Sequence, residues 1–186
     1  MINCITRFLL LFILAITFAQ QDLVYAWGWG THRYINENAV DCLPPEMDFF
    51  QEHRNYLREH STDPDIDDLP GYYHYIDIDY YPEFFEGTFP HDWDEAVEQY
   101  GYDVITDNGT IPWVIETWTD SLTVLMASGQ WETVWQLAAE LGHYVADSHQ
   151  PLHLTLNYNG QLTGNYGIHS RYETHMINPH LSELPL

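Results

Sequence analysis

Apolar residues recur at three- and four-residue spacing through two long stretches, Pro112 to Ser128 and Trp131 to Ala146, which predicts an amphipathic helix in each. A first helix is expected from Thr31, placed as its cap, to about Asp41, with Ile35 and Ala39 on its apolar face. Leu43-Pro44-Pro45 breaks it, and a second helix runs from Pro45 to about Arg58. The Asp- and Pro-rich segment from Ser61 to Gly71 is expected as loop, and Tyr72 to Tyr81 as extended loop, because its alternation has irregular flanks. Asp94 to Tyr100 predicts a further helix. A short helix carrying His169 and Glu173 follows turns at Asn159-Gly160 and Gly164-Asn165. The pattern is that of a single all-α, multi-helix domain with long irregular loops, and no repeat is visible.

The first residues form a separate unit. Phe8 to Phe18 is an uncharged apolar run behind Arg7, too short for the roughly 20 residues of a membrane-spanning helix but suited to a secretory signal. Val24-Tyr25-Ala26 supplies small residues for cleavage, so residues 1–26 are expected as signal peptide and Trp27 as the mature N-terminus of a secreted or periplasmic protein without a stable membrane span. Cys4 falls in that leader, which leaves Cys42 without an internal disulfide partner.

Charge narrows the function. The chain has 28 acidic residues against 5 basic ones, none of them lysine, for a formal charge of −23. Duplex nucleic acid is excluded as a partner, since its phosphates need clustered Lys or Arg. Most of the carboxylates are expected on a solvated surface and a few on bound cations.

Those few are marked by spacing. In Leu-Gly-His143-Tyr-Val-Ala-Asp147-Ser-His-Gln-Pro-Leu-His153, His143 and Asp147 leave the same helical face, and Pro151 turns the chain so that His153 can return beside them. His169 and Glu173 repeat the i, i+4 pairing of imidazole and carboxylate. Imidazole nitrogen and carboxylate oxygen are the donors zinc takes in catalytic sites. Further donors are available at Trp27 with His32, in Asp63-Pro-Asp65, and at His74. His53, His60, His91, His149, His175 and His180 have no such partner in the sequence and are assigned ordinary roles.

These motifs resemble the zinc-dependent phospholipase C and single-strand nuclease superfamily. The resemblance rests on Trp27 and His32 in Trp-Gly-Trp-Gly-Thr-His, on His143, Asp147 and His153 with the Gln-Pro-Leu-His ending, and on His169 with Glu173; Asp65 and His74 look like its earlier aspartate and His-aromatic segment. It implies an exported helical phosphodiesterase over residues 27–186 with three zinc ions. One would take Asp65, His74, His143 and Asp147. A second would take His153, His169 and Glu173. The third would take His32, a shared Asp147, and the α-amine and carbonyl of Trp27, whose amine, with a pKa of about 8, readily yields its proton to a metal. A hydroxide bridging two zincs would attack phosphorus, with Asp65 as the catalytic group orienting it. Asp63 is the alternative to Asp65 as ligand.

The substrate stays open between phospholipid head groups and single-stranded nucleic acid. Trp29, Tyr72, Tyr73, Tyr80 and Tyr81 could enclose choline, stack a base, or fill the core. Family members commonly continue with more helices after the residue corresponding to Glu173; a shortened natural version and a fragmentary sequence are the two alternatives, and either could leave a zinc site more exposed and the substrate pocket incomplete. A zinc-binding or interaction protein without turnover is the reading from another class. Asn108-Gly-Thr110 is a glycosylation sequon.

Overall fold

The computed structural model describes residues 27–67 and 69–184; the leader, with its predicted cleavage point after Ala26, lies outside them. Among the described residues every regular element is helical, as the periodicity predicts. Helices α1 (Trp29–Ala39) and α2 (Arg54–His60) are joined by 3₁₀ turns at Val40–Cys42 and Pro45–His53. Short helices α3 (Pro82–Glu86), α4 (Trp93–Tyr100) and α5 (Tyr102–Asp107) follow, then the long pair α6 (Ile111–Ala127) and α7 (Trp131–Asp147). The one-turn helix α8 (Ile168–Ser170) runs into a π-helical stretch, Arg171–Ile177, and a 3₁₀ segment, Asn178–Glu183.

Helix α7 is the axis of the molecule and packs on α6, α2 and α1. Its Val134 and Ala139 join Val40, Phe50 and Leu57 in one apolar core. Its Tyr144 enters a second core with Ile76, Tyr81, Ile105, Ile111 and Trp113. One helix thus anchors both halves, so side chains on its remaining face are held on a stiff support. Of the aromatic residues flagged in the sequence, Tyr81 is buried core and Tyr73 packs against that core, which excludes both from a substrate cage.

Several local expectations are corrected. Thr31 does not cap α1: the helix begins two residues earlier, and the Thr31 hydroxyl donates instead to Asn178 Oδ1 at 2.9 Å. Pro45 to His53 is 3₁₀ rather than α-helix, which starts only at Arg54. The segment Tyr72 to Tyr81 contains 3₁₀ turns at Gly71–Tyr73 and Ile78–Tyr80 around its extended middle. In the sequon, Asn108 is buried and its Nδ2 donates to the Val104 carbonyl at 2.8 Å. Helix α4 begins at Trp93 rather than the predicted Asp94, capped by Asp92, whose side chain accepts the Glu95 amide at 3.0 Å.

Close approach of α1 to α7 depends on Gly142. A Cβ there would lie 1.9 Å from Asn36 Oδ1, an amide fixed by its own 2.9 Å donation to the Ala139 carbonyl. Gly142→Ala is therefore expected to destabilise the fold by about 1–3 kcal/mol through overpacking. The midpoint of urea unfolding measures it, and an unchanged midpoint would show that Asn36 gives way freely.

Candidate metal centre

The last turn of α7 delivers His143 and Asp147 to the interior, and both are fully buried. Asp147 is the hub. Its Oδ1 lies 3.2 Å from His32 Nε2, while its Oδ2 lies 3.2 Å from His143 Nε2 and 3.0 Å from His74 Nδ1. Burial pushes the Asp147 carboxyl up, but the surrounding His143, His153 and His32 outweigh it and hold the group well below the ordinary carboxylate range. His32, brought in by α1, stacks on His143 with ring centroids 3.8 Å apart. Burial and the neighbouring His143 lower its pKa to about 4, which keeps the imidazole neutral and its lone pair free.

Backbone carbonyls set the tautomers. A carbonyl oxygen only accepts, so His143 Nδ1 carries the proton it donates to the Ser61 carbonyl at 2.8 Å, and Nε2 is the nitrogen that faces the cluster. His153 Nδ1 donates in the same way to the His74 carbonyl at 2.6 Å. Its Nε2 then faces His169 Nε2 at 3.1 Å and Glu173 Oε1 at 3.4 Å, with 2.5 Å between the last two. Burial lowers the His153 pKa, yet Asp147 and Glu173 beside it raise it to about 9 in the absence of a cation. Glu173 also receives a hydrogen bond from the buried Gln150 side chain, whose Oε1 accepts the Leu152 amide at 2.5 Å.

Asp63 and Asp65 meet different neighbours. Asp63 turns aside, its Oδ2 accepting from His60 Nδ1 at 2.7 Å and Gln136 Nε2 at 3.1 Å. Asp65 Oδ1 lies 3.6 Å from His143 Nε2 and 4.0 Å from His74 Nδ1, and its Oδ2 is buried without a hydrogen bond among the described residues. Desolvation raises its pKa. Asp65→Asn is accordingly expected to lose zinc and at least about 100-fold in turnover, whereas Asp63→Asn keeps both. Metal analysis with turnover checks this, and equal losses in the two variants would reject it.

These donor groups fit zinc. Tetrahedral zinc with bonds of about 2.0–2.1 Å separates its ligand atoms by roughly 3.3 Å. The contacts among Asp65, His74, His143 and Asp147 given above run from 3.0 to 4.0 Å and bracket that value. Buried Asp147 Oδ1 and His32 Nε2 likewise make no hydrogen bond among the described residues, an arrangement a shared cation satisfies. Three groups of potential ligands emerge: His32 with His143 and Asp147; Asp65 with His74 and His143; and His153 with His169 and Glu173. The Trp27 indole Nε1 donates to the carbonyl of Ala146, the residue before Asp147, at 2.8 Å. The expected exposure of one site at the C-terminal side is not found: His169 is 5 % and Glu173 1 % exposed.

A cleft of about 610 Å³ opens onto the centre. Asp65, His74, His153 and His169 form its floor, and Asp67, Asp77 and Asp107 lie along its walls with Tyr72, Tyr75 and Tyr158. Of the aromatics flagged in the sequence only Tyr72 lines it. Tyr75 and Tyr158 lacked any motif to mark them, as did the orienting Ser61 carbonyl; Gln150 was visible only as part of the Gln-Pro-Leu-His motif.

A helical domain with this convergence of imidazoles and carboxylates has the donors of a zinc-binding protein. The family model for zinc-dependent phospholipase C matches residues 31–183, and the chain belongs to that family. Neither a curated protein nor a solved structure matches it. The matched span holds every candidate ligand except Trp27, whose assignment rests on the indole contact and the sequence motif alone.

Proposed function

We propose that this protein is an exported phospholipase C that hydrolyses the head-group phosphodiester of phospholipids with three zinc ions held by Trp27, His32, Asp65, His74, His143, Asp147, His153, His169 and Glu173. The observation that carries the reading is Asp147, whose two oxygens face imidazoles on opposite sides. Zinc bound there supplies charge neutralisation for phosphoryl oxygens and brings a water's pKa near neutrality. Asp65 contributes the remaining function, because its unpaired Oδ2 can accept a hydrogen bond from the attacking water and hold it in line. In His143 and His153 the peptide carbonyls hold the Nδ1 protons, so a bound cation would have only the Nε2 proton to displace before meeting that nitrogen's lone pair.

Phospholipid is favoured over single-stranded nucleic acid by the cleft itself. Its lining includes Asp67, Asp77 and Asp107 but no Arg, and the chain has no lysine. A polyanion entering there meets repulsion at every residue beyond the scissile phosphate, whereas a zwitterionic head group offers a cation to acid and tyrosine walls. Export, by cleavage after Ala26 and release to the periplasm or medium, would free the Trp27 amine for a metal. Parallel assays of phosphatidylcholine and single-stranded DNA with zinc-loaded protein beginning at Trp27 test the proposal. Lipid hydrolysis is expected; preferential cleavage of DNA would make it a nuclease, and inertness toward both with zinc bound would make it a binding protein.

A further inference from the structure

The residues from Ser148 to Ser170 contain no Asp, Glu, Lys or Arg, in a chain whose formal charge is −23. Within them, the loop 155–167 leaves the metal centre just after His153 and returns to it just before His169. The loop is folded upon itself. The Leu162 amide donates to Asn157 Oδ1 at 2.8 Å, and Gln161 Nε2 donates to the Leu156 carbonyl at 2.5 Å. The amides of Thr163 and Asn165 both donate to the Gly160 carbonyl, at 3.1 and 2.9 Å. Gly160 makes the central turn at φ 73°, where a Cβ would come within 2.4 Å of the Asn165 carbonyl oxygen.

With so many of its polar groups joined to one another, this loop turns its apolar side chains outward: Leu162 is 70 % and Tyr166 68 % exposed. At its base Tyr158 lines the cleft, with its ring centroid 6.0 Å from that of His169. Ile66, 62 % exposed, sits between the cleft-lining Asp65 and Asp67. Bonds to charged partners hold the loop's two ends, Thr155 and Leu156 donating to the Asp79 carboxylate at 2.8 Å each and Arg171 donating to the Tyr166 carbonyl at 2.8 Å, while the turn between them bonds to itself. Polar groups already paired lose little on leaving water, and exposed Leu and Tyr gain by entering an acyl and head-group boundary. The acidity of the rest of the chain opposes approach to an anionic membrane but not to a neutral one.

We propose that the loop 155–167, through Leu162 and Tyr166, docks the protein on a zwitterionic lipid surface and so places the cleft mouth against its substrate. The proposal rests on the phospholipid reading above and adds the surface by which the lipid is reached. It is tested with wild-type protein and the double variant Leu162→Ser, Tyr166→Ser, both with the same N-terminus. Cosedimentation with phosphatidylcholine vesicles is expected to fall about tenfold or more in the variant, and mixing anionic lipid into the vesicles to weaken wild-type binding. Hydrolysis of vesicle lipid falls with it, while hydrolysis of a short-chain phosphatidylcholine below its micelle concentration is unchanged. Equal sedimentation of the two proteins, equal loss on both substrates, or loss of self-association in place of vesicle binding would overturn it. Sedimentation needs no turnover, so loop-dependent binding by a protein that cleaves neither lipid would support the docking surface and refute the activity.

Discussion

Asp147→Asn is expected to leave roughly one equivalent of zinc and to lower phosphodiesterase turnover about 10³-fold or more. The carboxylate serves two groups of donors at once: Oδ1 toward His32, and Oδ2 toward His143 and His74. An amide retains one oxygen and presents an N–H₂ on the other side, directed at an imidazole lone pair or a cation, so both groups fail together. The cluster of His153, His169 and Glu173 keeps its own three donors and should retain its ion. Zinc analysis beside turnover, with near-ultraviolet circular dichroism to verify the fold, decides the matter. Full zinc content with wild-type activity would remove Asp147 from the hub.

Chelation is the second large perturbation. Without a cation, His143 and His74 present nitrogens 3.0 Å apart, His153 and His169 nitrogens 3.1 Å apart, and Asp65, Asp147 and Glu173 are buried beside them. An ion that binds only the folded chain adds about 4 kcal/mol when present at 1,000 times its dissociation constant. For a domain of this size each kcal/mol moves the melting temperature by about 2–4 °C. Loss of even one such ion to EDTA should therefore lower the Tm by about 10 °C, and loss of all three by more, with recovery on adding zinc. With no cysteine pair among the described residues to brace the fold, little else compensates. A Tm indifferent to EDTA would show that the imidazoles and carboxylates are arranged for some other reason.

The sequence was most informative where one helix determined the geometry. His143 and Asp147 share a face of α7, and the 3.6-residue period that predicts the helix also predicts their convergence. The long helices α6 and α7 were legible for the same reason, to within one residue at each end. Helices α3 and α5 were not predicted, because five or six residues are too few for a periodic stripe to show. Nor could periodicity foresee that Pro45–His53 tightens to 3₁₀, or that the His169 and Glu173 pair spans the junction between α8 and a π-helical stretch. The different surroundings of Asp63 and Asp65 were not legible in the sequence: two carboxylates two residues apart meet different neighbours only in the fold, His60 and Gln136 in one case and His143 in the other. The walls of the cleft were invisible for a related reason, since Tyr75, Asp77 and Asp107 come together only through the backbone pairing of Asp77 with Asn108 and of Ile111 with Tyr75.

Two of the imidazoles owe their protonation pattern to peptide oxygens, at Ser61 and His74, and the main chain is the one component that a point mutation does not delete. Drift at position 61 can change the side chain and leave His143 correctly turned. Glu173 has no such insurance, because the amide that steadies it belongs to Gln150, and a single codon change there removes it. The orientation of His143 should thus outlast side-chain changes at position 61 that the fold accommodates, whereas that of Glu173 should not outlast the loss of Gln150.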